Sequence, residues 1–290
     1  DDLYDVVRAG TRVSLTRALG SDFLIGSVSY TIENRGILLN DEYYGAYVGG
    51  QTGAGPFGDR GGPVGAAAAN TYEGNIPSDI AEEEGYSLLS RYGASLAYDT
   101  RNSVTLPNRG QRTELSAEIV GGPISDEEFY KLELRTSWYF PGPARGHVLE
   151  VVGRAGVADG LGGEEVPFYD RYYLGGLYSL RGFKYRSISP REDPYEEPIG
   201  GNSYWYGSAE YSIPIIPRLR FAAFYDVGVV NPDAFEFDSL DLFNDNWGIG
   251  LRLNLPIGPL RLDYGVPINH DRYNSDKNRF QFGVGYTREF

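Results

Sequence analysis

The sequence of 290 residues contains no cysteine, which excludes a disulfide framework, a thiolate zinc site and a catalytic cysteine. Methionine is absent as well, so we expect the chain to start at a processed or truncated end. The two histidines, His147 and His270, are too few for most metal sites or catalytic triads built on histidine. No apolar run approaches the roughly 20 residues that a transmembrane helix needs. We therefore predict no catalytic residue, no metal site and no cofactor.

Basic residues are also scarce, because 26 Lys and Arg stand against 40 Asp and Glu, for a net charge of -14. Broad contact with nucleic acid needs a dense basic face that neutralises phosphates, so we expect no nucleic-acid partner. The chain is rich instead in glycine, with 39 residues, and in aromatic residues, which make up 14%. Such a composition, mildly polar on average, is typical of an all-β soluble protein or of an outer-membrane β-barrel.

Apolar and polar residues alternate with period two along much of the chain, which indicates strands with two different faces. In 130–140, Leu132, Leu134 and Trp138 share one face and Lys131 lies on the other. We predict about eleven strands, at 3–18, 21–33, 85–99, 110–121, 128–140, 146–158, 203–214, 218–229, 246–256, 258–267 and 278–290. Most have about ten residues or more, the length that a tilted strand needs to cross a bilayer.

The connections between these strands tend to alternate between short and long. The long set holds much of the acidic charge and comprises 34–84, 122–127, 159–202, 230–245 and 268–277. Short periplasmic turns and long external loops are typical of outer-membrane barrels. The predicted fold class is therefore all-β, a transmembrane antiparallel up-and-down β-barrel, although a soluble barrel would share the alternation. Short surface helices fit 65–70 and 77–84 within the first long loop.

Residues 168–183 read FYDRYYLGGLYSLRGF and resemble a long loop of the BamA-type outer-membrane assembly family. This superfamily, which includes TamA and two-partner-secretion transporters, carries Val-Arg-Gly-Phe/Tyr where this chain has Leu180, Arg181, Gly182 and Phe183. The resemblance covers about 85–290 most clearly, and continues through 98–110, 208–211, 224–228, 248–251 and 256–264 to Phe290.

The resemblance implies a sixteen-stranded barrel with eleven strands before this loop and five after it. About six and five are visible here, so we expect the C-terminal part of one barrel domain, 1–290, without roughly five N-terminal strands and without the periplasmic POTRA repeats. It also implies that 34–84 is a long external loop, and that 159–202, called here the signature loop, folds into the lumen.

In the family, the arginine of the signature pairs with acidic residues of the inner wall. The alternation independently places Glu210 and Asp226 on lumen-facing sides of their strands, where one guanidinium can bridge two carboxylates. We therefore expect Arg181, Glu210 and Asp226 to tether the loop, with Gly182 permitting a tight turn and Phe183 packing on the wall. The alternative is a pair of independent, solvated lumen charges.

The C-terminal run resembles the aromatic-ended sorting signal of outer-membrane barrels, and its candidate residues are Phe280, Phe282, Gly283, Gly285, Tyr286 and Phe290. An amphipathic edge strand of this kind is able to pair with an assembly machine by strand addition, but it also fits an ordinary last strand. In the family, the last strand meets the first across a weak seam. The two glycines would weaken pairing there.

The resemblance implies non-enzymatic insertion and folding of outer-membrane β-barrel proteins in the bacterial outer membrane, by templating client strands at the seam. Expected partners are outer-membrane lipid, lipopolysaccharide, unfolded outer-membrane protein clients, and accessory assembly lipoproteins that bind the periplasmic repeats. The alternatives are translocation of a secreted partner or an autotransporter, a passive porin-like channel, and an enzyme.

Acidic loops that bind divalent cations near lipopolysaccharide are a further hypothesis. Residues 53–58 match the dinucleotide pattern GxGxxG, but Pro56 interrupts them and no helix is expected to follow, so we assign no site there.

Overall fold

A computed structural model describes residues 4–39, 77–192, 197–237, 243–255 and 258–284. In these residues, eleven antiparallel strands form one sheet in which each strand pairs with its neighbours in sequence. The strands are β1 Tyr4–Ala18, β2 Leu24–Leu39, β3 Gly85–Asp99, β4 Gly110–Val120, β5 Phe129–Pro141, β6 Val148–Gly160, β7 Ser203–Ile216, β8 Leu219–Asn231, β9 Asn244–Leu255, β10 Gly258–Asn269 and β11 Arg279–Val284. A single short helix in the described part of the chain, α1 (Ser78–Ala81), precedes β3. The eleven predicted strands and their up-and-down order are confirmed.

The two faces of the sheet differ as the alternation predicts. On β5, Leu132, Leu134 and Trp138 are exposed on one face, while Ser137 and Tyr139 are buried on the other. Exposed apolar side chains recur on the outer face of the other strands as well, for example at Val28, Leu96, Leu115, Ile249 and Phe282. A continuous apolar outer face around a polar interior is typical of a barrel that faces lipid, and it speaks against the soluble alternative. No helix within the described ranges is long and apolar enough to span a membrane.

Strand β2 is longer than the sequence predicts, since it continues to Leu39 and not to residue 33. The Asn34-Arg35-Gly36 stretch reads as a turn in isolation, but Gly36 is paired with Val7 on β1 and with Tyr86 on β3. The prediction that the external loop starts at residue 34 is therefore wrong for 34–39, which belong to β2. Residues 40–76, including the helix predicted at 65–70, lie outside the described residues, and of the helix predicted at 77–84 the structure forms α1.

The core lies between the sheet and the connection from β6 to β7, which is the signature loop, residues 161–202 between the strands. Among the described residues, the largest of three buried clusters joins Leu174, Leu180, Phe183 and Ile188 of this loop to side chains of β6, β7 and β8. A second cluster joins Phe168 to β2 and α1. This one loop contacts β2 as well as β6, β7 and β8, which lie far from β2 in the strand order. The sheet must therefore curve around the loop, and the loop fills the concave side.

Candidate functional site

Arg181 of the signature loop is fully buried, at 0% exposure, against the inner face of the sheet. Its Nε donates to Asp226 Oδ2 at 2.7 Å and its Nη2 donates to Asp226 Oδ1 at 2.5 Å. Its Nη1 donates to Glu210 Oε2 at 2.5 Å. The guanidinium thus makes a two-pronged contact with one carboxylate and reaches a second, the arrangement in which charge-assisted hydrogen bonds are strongest.

Three adjacent strands hold the Asp226 carboxylate in place. Asp226 lies on β8 directly opposite Ser208 of β7, whose Oγ donates to Asp226 Oδ1 at 2.7 Å. Asn246 of β9 donates from Nδ2 to Asp226 Oδ2 at 3.1 Å. The Phe224 ring, two residues earlier on β8, lies under the guanidinium with 3.5 Å from Cζ of Arg181 to the ring centroid. Side chains of these strands therefore hold the Asp226 carboxylate in the position in which the arginine binds it.

A second layer of charges surrounds Glu210. Arg252 of β9 donates to Glu210 Oε2 at 2.8 Å and to Asp263 Oδ1 of β10 at 2.6 Å. Arg261 of β10 contacts both carboxylates, with 2.5 Å from its Nε to Asp263 Oδ2. The cluster contains three guanidinium groups, those of Arg181, Arg252 and Arg261, and three carboxylates, those of Glu210, Asp226 and Asp263. Because the charges balance, burial leaves no ion without a counter-ion.

Sequence analysis found the centre of this cluster but not its periphery. Ser208, Asn246, Arg252 and Asp263 were not predicted as site residues. Each lies on the lumen-facing side of its strand, and this position is the feature by which the sequence could have indicated them as site residues. The alternation shows which side chains enter the lumen, but not which of them meet there.

The two apolar residues of the signature lie in the core. Leu180 and Phe183 are 0% and 2% exposed and pack on Val152, Tyr204 and neighbouring side chains of the wall. The carbonyl oxygen of Phe183 accepts a hydrogen bond from Gln281 Nε2 of β11 at 2.8 Å. Residues 180–183 thereby contact every strand from β6 to β11, although they are not themselves paired with a strand.

The prediction for Gly182 needs a correction. Its φ is not in the left-handed region, whereas Gly175 and Gly176 earlier in the loop have φ of 102° and 99°. The reason for glycine at 182 is close approach, because a Cβ there would lie 2.7 Å from Asn246 Cβ. The turn itself depends on the preceding glycine pair.

The residues predicted on the terminal strand are only partly described. Phe280 and Phe282 are exposed on the outer face of β11. Gly283 pairs with Arg261 and faces inward, where a side chain would overlap Leu177 of the signature loop. Gly285, Tyr286 and Phe290 lie outside the described residues, so the sorting signal and the seam stay predictions.

A second ionic cluster, which sequence analysis missed, lies around Asp170 in the first part of the signature loop. Its carboxylate accepts hydrogen bonds from Arg35 of β2 and Arg91 of β3, and its carbonyl oxygen accepts one from Lys131 of β5. The loop is therefore held by ion pairs at two positions, Asp170 and Arg181, which carry opposite charges.

The segment that follows the undescribed residues 40–76 covers this part of the loop. Asp79 of α1 forms an ion pair with Arg171, and Ile80 packs in a cluster with Phe168. Burial, with a further contribution from the nearby Glu127 carboxylate, raises the pKa of Glu83 to about 8. Because this pKa lies above the value in an unfolded chain, docking of the segment is favoured at low pH and weakens as pH rises from about 4.5 to about 8. No group of three or more potential metal-binding side chains occurs in the described ranges.

Comparison with known proteins places this geometry in a family. The Omp85 superfamily domain matches residues 1–287. The outer membrane protein assembly factor BamA of Nitratidesulfovibrio vulgaris is 32% identical over 210 residues, covering 71% of this chain and 26% of the relative. The sorting and assembly machinery component 50 homolog of Bos taurus is 28% identical, covering 71% of this chain and 47% of the relative. The chain thus spans about a quarter and about half of the lengths of these two relatives.

Two solved structures share the fold. The crystal structure of BamA from Haemophilus ducreyi lacking POTRA domains 1–3 matches with a TM-score of 0.71 at 24% identity, covering 96% of this chain and 54% of that one. CdiB from Acinetobacter baumannii matches with a TM-score of 0.58 at 18% identity, covering 96% of this chain and 42% of that one. The barrel fold and the BamA relatives identify a bacterial outer-membrane β-barrel protein. The chain belongs to the Omp85 superfamily, and the predicted resemblance to its BamA-type members is confirmed.

Proposed function

We propose that this chain is the barrel region of a factor that inserts and folds outer-membrane β-barrel proteins, without catalytic turnover. The observation that carries the proposal is the signature loop held in the lumen by Arg181, Asp226 and Glu210. This arrangement belongs to a chain whose relatives include proteins named as outer-membrane assembly factors. The loop is positioned by buried ions, which is more than a passive pore requires.

The mechanism that we propose is strand templating at the seam, where the last strand of the barrel is expected to meet the first. Among the described residues, β11 is the last strand in the order. An end strand presents unpaired N–H and C=O groups that another strand is able to pair with. A client strand paired there would satisfy its own backbone groups before it meets lipid, where each unsatisfied group costs several kcal/mol. Strand pairing and apolar burial would supply the driving force, and the barrel would lower the kinetic barrier.

The lumen chemistry supports a non-enzymatic role. A general acid or base needs a carboxylate that can exchange a proton with a substrate. Glu210, Asp226 and Asp263 are each bound by arginine side chains, and this use of their oxygens is structural. We propose no cofactor and no catalytic residue.

The proposed partners are unfolded outer-membrane proteins, outer-membrane lipid and lipopolysaccharide, together with accessory assembly lipoproteins that bind periplasmic repeats. The sixteen-stranded barrel and the POTRA repeats stay predictions from the resemblance. Translocation of a secreted partner is the second candidate, and it has less support because the curated relatives are named as outer membrane protein assembly factors and as sorting and assembly machinery components.

The test replaces the chromosomal copy of the full-length protein by an Arg181→Ala variant and measures folded outer-membrane proteins. We expect their amount to fall, because the loop loses its buried cation, whereas Arg109→Ala at an exposed turn position should leave it unchanged. Normal amounts of folded client with a steady single-channel conductance would favour the porin alternative. Loss of one secreted protein with normal barrel proteins would favour translocation.

A further inference from the structure

We propose that Asp170 is a second anchor of the signature loop, and that the loop braces the two halves of the sheet against each other through Asp170 and Arg181. The first half, defined here as β2, β3 and β5, meets Asp170. The second half, defined as β7 to β10, meets Arg181. The proposal rests on the proposed function of the loop as a tethered element and extends it to a second attachment point.

The Asp170 carboxylate accepts three hydrogen bonds from arginine side chains, and its carbonyl oxygen accepts a fourth bond. Asp170 Oδ2 accepts hydrogen bonds from Arg35 Nη1 at 2.9 Å and from Arg91 Nη2 at 2.7 Å. Its Oδ1 accepts a further bond from Arg91 Nη1 at 3.2 Å, so that Arg91 binds both oxygens. Its carbonyl oxygen accepts a bond from Lys131 Nζ at 2.6 Å. Three strands of the first half therefore converge on one loop residue.

The surroundings of Asp170 are largely buried, and they balance its charge. The side chains of Arg35 and Arg91 are 4% and 8% exposed, and that of Asp170 is 11% exposed. Glu33 neutralises Arg35, and Glu118 contacts Arg91. On either side of Asp170, the ring of Tyr169 lies 4.3 Å from the Arg35 guanidinium and the ring of Tyr172 lies 4.6 Å from Lys131 Nζ. The groups that bind Asp170 are therefore held in place themselves, because aromatic rings and counter-ions surround them on several sides.

The polarity of the two anchors is opposite. The loop offers an anion to cations of the first half and a cation to carboxylates of the second half. In the described residues, strands pair only with their sequence neighbours, so the sheet alone connects β3 to β8 through a chain of four intervening strands. The loop provides a direct connection between the same two regions. The two anchors act in series, so release of either one removes the ionic connection between the two halves.

The absence of cysteine makes a distance measurement straightforward, because introduced cysteines carry the only spin labels. We would label Val28→Cys on β2 and Ile249→Cys on β9, which are both exposed on the outer face. The full chain in outer-membrane lipid vesicles is then compared by double electron–electron resonance with Asp170→Asn, Arg181→Gln and the double variant. Glu165→Gln is the matched control, because Glu165 lies in the same loop and its side chain is 85% exposed.

We expect each single substitution to broaden the distribution of distances, the double variant to broaden it no further than the larger single effect, and the control to match the parent. A narrow distribution in Asp170→Asn beside a broad one in Arg181→Gln would overturn the second anchor and retain the first. Effects that add in the double variant would overturn the series arrangement, and a lowered melting temperature with an unchanged distribution would show a purely local role. Client assembly is measured with the same variants. Broad distributions with normal assembly would retain the brace and refute the proposed function.

Discussion

Replacing Asp226 by asparagine removes one charge from the lumen cluster and keeps the shape of the side chain. The parent cluster has three cations and three carboxylates, so Asp226→Asn leaves one net positive charge in a buried place. Glu210 cannot compensate fully, because it already contacts Arg252 and Arg261. Asparagine offers one acceptor oxygen in place of two, so the two-pronged contact with the Arg181 guanidinium is lost.

The expected magnitude follows from the burial of both partners. Removal of one partner from a buried ion pair costs about 3–5 kcal/mol, and the remaining amide oxygen places this change near the lower value. At about 1.4 kcal/mol per tenfold, docking of the signature loop should weaken by roughly a hundredfold or more. The loss should concern the loop first, since the strands keep their own ladders of hydrogen bonds.

Hydrogen exchange of the folded protein in lipid, followed by mass spectrometry, measures this change. Amides of residues 177–189 should exchange roughly a hundredfold faster in Asp226→Asn, if exchange follows local opening. Asp233→Asn removes an exposed carboxylate just beyond the same strand and should leave the rates unchanged. If the exchange rates in Asp226→Asn rose by less than about tenfold and did not differ from those of the control, the ionic account of loop docking would be refuted.

Three further predictions concern single residues. Gly182→Ala should speed exchange of the same loop, because its Cβ would lie 2.7 Å from Asn246 Cβ, and parent rates would contradict the close approach. Phe183→Ala should destabilise the folded barrel by about 3–5 kcal/mol, since a buried ring is lost. An unchanged denaturation midpoint would show that the ring does not pack on the wall. Raising pH from about 6 to about 9 should loosen residues 77–84 to protease, because ionisation of Glu83, with a pKa of about 8, then opposes its burial. Glu83→Gln should abolish this response, whereas Glu82→Gln, at an exposed position, should not. The same response in the parent and in both variants would contradict the role of Glu83.

The strands were predictable because their pattern is local. Lipid on one side and a polar lumen on the other impose a period of two on each strand, whatever the rest of the chain does. The same pattern placed Glu210 and Asp226 on the inner face. The resemblance around Arg181 supplied the third residue.

What the sequence did not show depends on residues that are distant in the chain. Asp170 meets Arg91 and Arg35, which lie 79 and 135 residues before it. Alternation gives no order among the lumen charges, and Arg35 lay in a segment, 34–84, that was predicted as a loop. The extension of β2 escaped for a similar reason, since Arg35 pairs with Arg8 of β1 and with Ser87 of β3, and this pairing is not visible in the local pattern.

The use of ions to hold the loop is itself informative, because a buried ion pair often stabilises a protein no more than well-packed apolar side chains of the same volume. What ions add is direction: the fork of Arg181 fits Asp226 in one orientation, whereas an apolar contact such as that of Leu180 tolerates sliding. The Asp226→Asn protein separates these contributions, since it retains the apolar cluster around Leu180 and Phe183 and loses only the charge. If apolar packing alone positioned the loop, its amides would keep their protection. Faster exchange confined to the loop would show that the position of the signature depends on the buried charges.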